Sequence, residues 1–113
     1  MPNQLPECQS ADHSPIKRTV PGRDVCERAA CIFRALGDTT RLQMLALLAE
    51  GDLCVTDIAE RLGDNLPAVS QRLKLLRSER IVKQRREGKH MFYSLADRHV
   101  AELISNALAH VNE

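Results

Sequence analysis

Apolar residues recur at helical spacing along four consecutive stretches, then alternate at strand spacing over two short ones, then return to helical spacing. Asp24 is read as the N-cap of a first helix over 24–36, with Val25, Ala29, Ile32, Phe33 and Leu36 on one face and Gly37 at its end. Asp38 caps a second helix whose apolar positions are Leu42, Leu45, Leu48 and Ala49, and Gly51 closes it. A third, shorter helix runs over 55–62 and stops at Gly63. Asn65 caps a fourth, and Pro67 is tolerated in the first turn, where no backbone donor is needed. Its Val69, Leu73 and Leu76 face inward. Ala68, Ser70, Gln71, Arg72, Lys74 and Arg77 are left for the other faces. Residues 81–86 and 90–95 read as two strands around Glu87-Gly88-Lys89, a hairpin with glycine at its tip. Asp97 caps a last helix striped by Val100, Leu103, Ile104, Ala107, Leu108 and Val111.

The expected fold is therefore mainly α, a winged helix-turn-helix in the order α-α-α-α-β-β-α. Residues 1–22 hold four prolines and no sustained apolar period, so a flexible tail is expected there and a folded domain over 23–113. Composition agrees: 43% of the 113 residues are apolar but only 3% aromatic, which suits packed helices built from Leu, Ile, Val and Ala. No apolar run approaches the roughly 20 residues of a membrane helix, and no signal peptide is apparent, so a cytoplasmic protein without membrane contact is expected. In a reducing compartment the four cysteines (Cys8, Cys26, Cys31, Cys54) are not expected to form disulfides. Cys26 and Cys31 are read as packing residues.

The net charge of +1 conceals an uneven distribution. Between Arg61 and Lys89 there are nine basic residues against three acidic ones, whereas from Asp97 onward Asp97, Glu102 and Glu113 face only Arg98. A basic middle and an acidic end suggest nucleic acid at one surface and a cation at another. The fourth helix is the expected recognition helix. Lys89, with Arg85 or Arg86, would bring the wing to phosphates.

On the last helix, at roughly 100° per residue from Asp97, His99, His110 and Glu113 fall near 200°, 220° and 160°, on one face. His99 and His110 are 11 residues apart, about 16 Å along the axis, whereas zinc holds nitrogen at about 2 Å. One helix therefore carries two half-sites, Asp97/His99 and His110/Glu113, and each needs a second chain. Two antiparallel copies about a twofold axis would complete two equivalent sites. Two imidazoles and two carboxylates suit tetrahedral Zn(II) or Co(II).

From Phe33 to Glu113 the chain resembles the ArsR/SmtB family of metal-responsive repressors. The matching residues are Ala35-Leu36-Gly37-Asp38 with Arg41-Leu42, Leu53-Cys54-Val55-Thr56-Asp57, Ala68-Val69-Ser70-Gln71-Arg72-Leu73, and Gly88-Lys89-His90 with Tyr93. The Asp97, His99, His110, Glu113 spacing matches the zinc site of the SmtB branch. The resemblance implies a homodimer that binds an inverted-repeat operator when metal-free and releases it on binding zinc. It also implies a hydrogen bond from His110 to backbone near Arg80, linking metal to recognition helix. A second family site would join Cys54 and Asp57 to Cys8 and His13 from the partner's tail, where Cd(II) or Pb(II) would be held. Thr56 stands where thiolate-rich sensors carry another cysteine. Nickel sensors of the family use extra ligands, for which His13 is the nearest candidate.

The competing function is a regulator sensing a thiol-binding metal or thiol oxidation through Cys8, Cys26 or Cys54. An enzyme is not expected, because four protein ligands leave a metal neither an open position nor a general base.

Overall fold

The computed structural model describes residues 15–113. Five helices and three strands follow one another: α1 (Arg23–Leu36), α2 (Thr39–Leu48), β1 (Leu53–Cys54), α3 (Val55–Leu62), α4 (Leu66–Ser78), β2 (Val82–Glu87), β3 (His90–Leu95) and α5 (Arg98–Val111). Three helix starts are fixed by short polar side chains. Asp38 accepts the Arg41 N–H at 2.9 Å, Asn65 that of Ala68 at 2.9 Å and Asp97 that of Val100 at 3.1 Å. Each satisfies a backbone donor that the first helical turn leaves open. Asp24 does not do this. Gly22 holds the cap position of α1, without a side-chain cap, and Asp24 sits within the first turn, where a carboxylate still suits the helix dipole. Arg41 closes the other end of α1, donating to the Ala35 carbonyl at 2.8 Å and the Arg34 carbonyl at 3.3 Å. α2 stops at Leu48 with Ala49 as its C-cap, two residues short of Gly51.

Gly63 ends α3 in the left-handed conformation, φ 67°, which a residue without a Cβ adopts freely. α4 ends the same way on a residue less suited to it. Arg80 has φ 58°, and the Ile81 N–H reaches back to the Leu76 carbonyl at 2.9 Å. This is the backbone pattern of a helix stop that glycine usually serves.

The wing is more than a hairpin. β2 and β3 pair antiparallel from Val82↔Leu95 to Glu87↔His90, and Gly88, φ 62°, opens the two-residue turn between them. β1 adds a third strand on the far side of β3, through Leu53↔Tyr93 and Cys54↔Phe92, so the order is β1-β3-β2. The sheet is thereby tied to the start of α3.

Met44 and Leu45 of α2, Ile58 of α3, Leu73 and Leu76 of α4, Ile81, and Ile104 of α5 form a single core, each at most 1% exposed. The apolar faces expected of α1 and α5 are only partly used by it. Ala35, Ile32 and Leu36 pack from α1, but Val25 and Phe33 stay exposed, at 55% and 61%. On α5, Val100 and Ile104 are buried while Leu103, Leu108 and Val111 are exposed. α1 and α5 flank the core with one side each, so the rest of each apolar face meets no surface among the described residues. Cys26, expected to pack, is exposed for the same reason. Cys31 is half-buried and its sulfur accepts from Arg34 at 3.0 Å. Cys26, Cys31 and Cys54 are all free thiols.

Candidate nucleic-acid interface and metal ligands

α3, the Gly63–Asn65 turn and α4 form a helix-turn-helix, and the β2–β3 wing follows it directly. α4 buries Val69, Leu73 and Leu76. Ser70, Gln71, Lys74 and Arg77 are exposed, Ala68 is half-exposed, and Lys89 stands exposed at the wing tip. These residues form a polar, positive surface on the second helix of the helix-turn-helix, the one that reads a groove in such motifs, and on the wing beside it.

Two arginines expected on that surface are engaged within the protein. Arg72 donates to Asp64 in the α3–α4 turn. That contact holds the Asp64 carboxyl below its ordinary range, helped by the Asn65 N–H. Arg85 pairs with Asp52 ahead of β1 and with Glu87 at 2.9 Å, and its guanidinium lies 5.2 Å from the centre of the Phe92 ring. The two carboxylates raise its pKa further, Asp52 most. Sequence reasoning missed both pairings. Asp52 and Arg85 are far apart along the chain, and only the pairing of β1 with β3 brings them together.

The proposed metal ligands fall into pairs at the two ends of α5. His99 Nδ1 lies 3.7 Å from Asp97 Oδ1 at the start, and His110 Nδ1 lies 3.6 Å from Glu113 Oε2 at the end. All four side chains are more than half exposed. Asp97 Oδ1 also caps the helix, and Oδ2 has no hydrogen bond among the described residues. No cluster of three or more candidate ligands occurs among the described residues. Asp97 and His99 open onto a cleft between α1, the end of α4 and the start of α5, lined also by Arg28, Cys31, Arg80 and Leu103. At the start of α3, Cys54 Sγ and Asp57 Oδ2 are 3.3 Å apart. Cys8 and His13 lie outside the described residues.

Residues 38–84, from the cap of α2 into β2, match the model of the bacterial regulatory protein, arsR family. The chain is 40% identical over 98 residues to a transcriptional repressor SmtB homolog of Synechocystis, covering 87% of this chain and 74% of that one. It is 41% identical to a cadmium resistance transcriptional regulatory protein CadC homolog of Staphylococcus aureus, covering 74% and 70%. Among solved structures, a homodimeric winged helix-turn-helix DNA-binding domain of Mycobacterium bovis superposes with a TM-score of 0.78 at 33% identity, covering 86% and 90%. No helix among the described residues is long and apolar enough to cross a membrane. The helix-turn-helix, the wing and these likenesses agree: the chain is a DNA-binding transcriptional regulator, not an enzyme, and belongs to the arsR family.

Proposed function

We propose that this protein is a cytoplasmic zinc-responsive repressor that holds an inverted-repeat operator as a metal-free homodimer and releases it when Zn(II) binds. The observation that carries the reading is the pairing of one imidazole with one carboxylate at each end of α5. Neither pair completes a tetrahedral site. Two antiparallel copies of α5 would bring Asp97 and His99 of one chain to His110 and Glu113 of the other, making two sites per dimer. The donor set, two nitrogens and two carboxylate groups, fits Zn(II), with Co(II) as an in vitro substitute. Zinc there would supply a tetrahedral tie between the ends of two helices. The unpartnered apolar residues of α1 and α5 supply a surface for the same dimer, and the Mycobacterium bovis relative is homodimeric. Ala68, Ser70, Gln71 and Lys74 would meet the major groove, and Lys89 the backbone beyond it. Because binding is linked, zinc that favours the low-affinity dimer must itself bind less tightly to the DNA complex, by the same factor.

A second reading rests on the contact between Cys54 and Asp57. Completed by Cys8 and His13, these groups would favour a thiol-binding metal such as Cd(II) or Pb(II), or make the protein sensitive to thiol oxidation. The relative whose name refers to cadmium resistance gives this reading its context.

The deciding measurement is operator release against zinc for the wild type, His110→Gln and Cys54→Ser. Zinc should release the wild type and Cys54→Ser at similar concentrations and leave His110→Gln bound. Equal release of wild type and His110→Gln would move the sensor away from α5.

A further inference from the structure

One arginine of the recognition helix does not face outward. At roughly 100° per residue, Arg72 lies about 65° from the centre of the buried Val69, Leu73 and Leu76, whereas Gln71 lies nearly opposite and Lys74 more than 100° away. Arg72 donates Nη1–H to Asp64 Oδ2 at 2.5 Å, with side chains 30% and 28% exposed. The other Asp64 oxygen accepts the Asn65 N–H at 2.8 Å, and the Asn65 side chain accepts the Ala68 N–H at 2.9 Å. The chain of contacts starts in the second turn of α4, passes through the turn before it, and returns to its first turn. Lys74 and Arg77 of the same helix have no ion pair among the described residues.

We propose that Arg72 is a positioning residue of the recognition helix and not a DNA contact. The Asp64–Arg72 pair sets the angle at which α4 leaves the α3–α4 turn, and the carboxylate neutralises a guanidinium that would otherwise add sequence-independent attraction to phosphate. A half-exposed ion pair stabilises a fold little, but a small tilt of α4 moves every side chain that reaches a base edge. Discrimination therefore depends on the pair more than stability does. The Arg72 guanidinium and the Asn65 N–H hold the Asp64 carboxyl below its ordinary range, which favours the ionised pair.

The inference rests on DNA binding through α4 and is independent of zinc, so its test is made metal-free. Binding is measured to a duplex selected by the wild type from a random pool and to a scrambled duplex, over a range of salt. Lys89→Gln, at the wing residue assigned to the DNA backbone, should lower the salt slope by about 0.9, as loss of a phosphate contact does. Arg72→Gln should leave the slope unchanged and reduce the preference for the selected duplex by about 5-fold, the upper end for such a pair. The exchange Asp64→Arg with Arg72→Asp should restore most of that preference, with folding followed by circular dichroism. A drop of about 0.9 in slope for Arg72→Gln would make Arg72 a phosphate contact and overturn the proposal. So would a folded exchange variant that no longer binds DNA, since a carboxylate at a DNA contact is repelled. If Arg72→Gln does not fold, the exchange variant decides alone.

Discussion

Asp64 is a carboxylate whose environment favours its charged form, through the Arg72 guanidinium first and the Asn65 N–H second. A group whose folded pKa is depressed contributes stability that is present above its unfolded value and is lost as pH falls through the folded value. The contribution of Asp64 should therefore persist above the ordinary 3.8 of an aspartate and fade as the solution is acidified below it. Asp64→Asn should unfold more readily than the wild type near neutrality, where the charged pair contributes, and the difference should shrink as pH falls through that acid range, so the variant's dependence on pH there is shallower. Denaturant melts across the two ranges check this, and an equally steep acid limb in both proteins would count against the pairing. None of this was legible in the sequence, which places Asp64 and Arg72 two helical turns apart with nothing to say that their side chains meet. The caps at Asp38, Asn65 and Asp97 were legible, because a short polar side chain and the N–H three residues on are bound by local geometry alone.

Of the helices, α4 is held at both ends by different means. Its start is capped and its stop is strained. Arg80 occupies a left-handed conformation that costs a residue with a Cβ about 1–2 kcal/mol, while glycine gives back about 0.5–1 kcal/mol in chain entropy. Arg80→Gly should thus raise stability by roughly 0.5–1 kcal/mol, a few degrees in a thermal melt; a lower melting temperature would show that the Arg80 side chain contributes more than its backbone costs. The hydrophobic period revealed where α4 begins and which face it buries. It gave no sign of β1, since two residues, Leu53 and Cys54, carry no period. They become a strand only because Tyr93 and Phe92 of β3 lie alongside. The ends of α1 and α5 were legible to within a residue or two. Their apolar stripes were legible as stripes, but not as faces divided between this chain and another surface.

For the molecule as a whole, that division decides the oligomer. Val25 and Phe33 on α1 and Leu103, Leu108 and Val111 on α5 are exposed in the single chain, a larger apolar display than scattered surface residues explain. Phe33→Glu should shift the protein toward monomer in sedimentation, because a charge would have to be desolvated at the contact. On the proposed zinc sites it should also weaken zinc binding, although Phe33 is no ligand. A Phe33→Glu protein that stays dimeric at micromolar concentration would place the subunit contact elsewhere. The grouping of the proposed metal ligands into one imidazole-carboxylate pair at each end of α5 was legible from a single number, the rise of a helix per residue. The intramolecular engagement of Arg72 and Arg85 was not, because charge counting along a chain registers cations and not the partners that the fold gives them.

Among the described residues, the strand order β1-β3-β2 leaves β2 with an open edge along its whole length. An unpaired edge is a template on which further chains can grow into aggregates. β2 reads Val-Lys-Gln-Arg-Arg-Glu, and all of it after Val82 is exposed. Lys83 and Arg86, which have no ion pair among the described residues, thus repel the same edge of any neighbouring molecule. Substitutions that strip charge from the wing to weaken DNA binding would also remove this protection, so a loss of activity in such variants has to be separated from a loss of soluble protein.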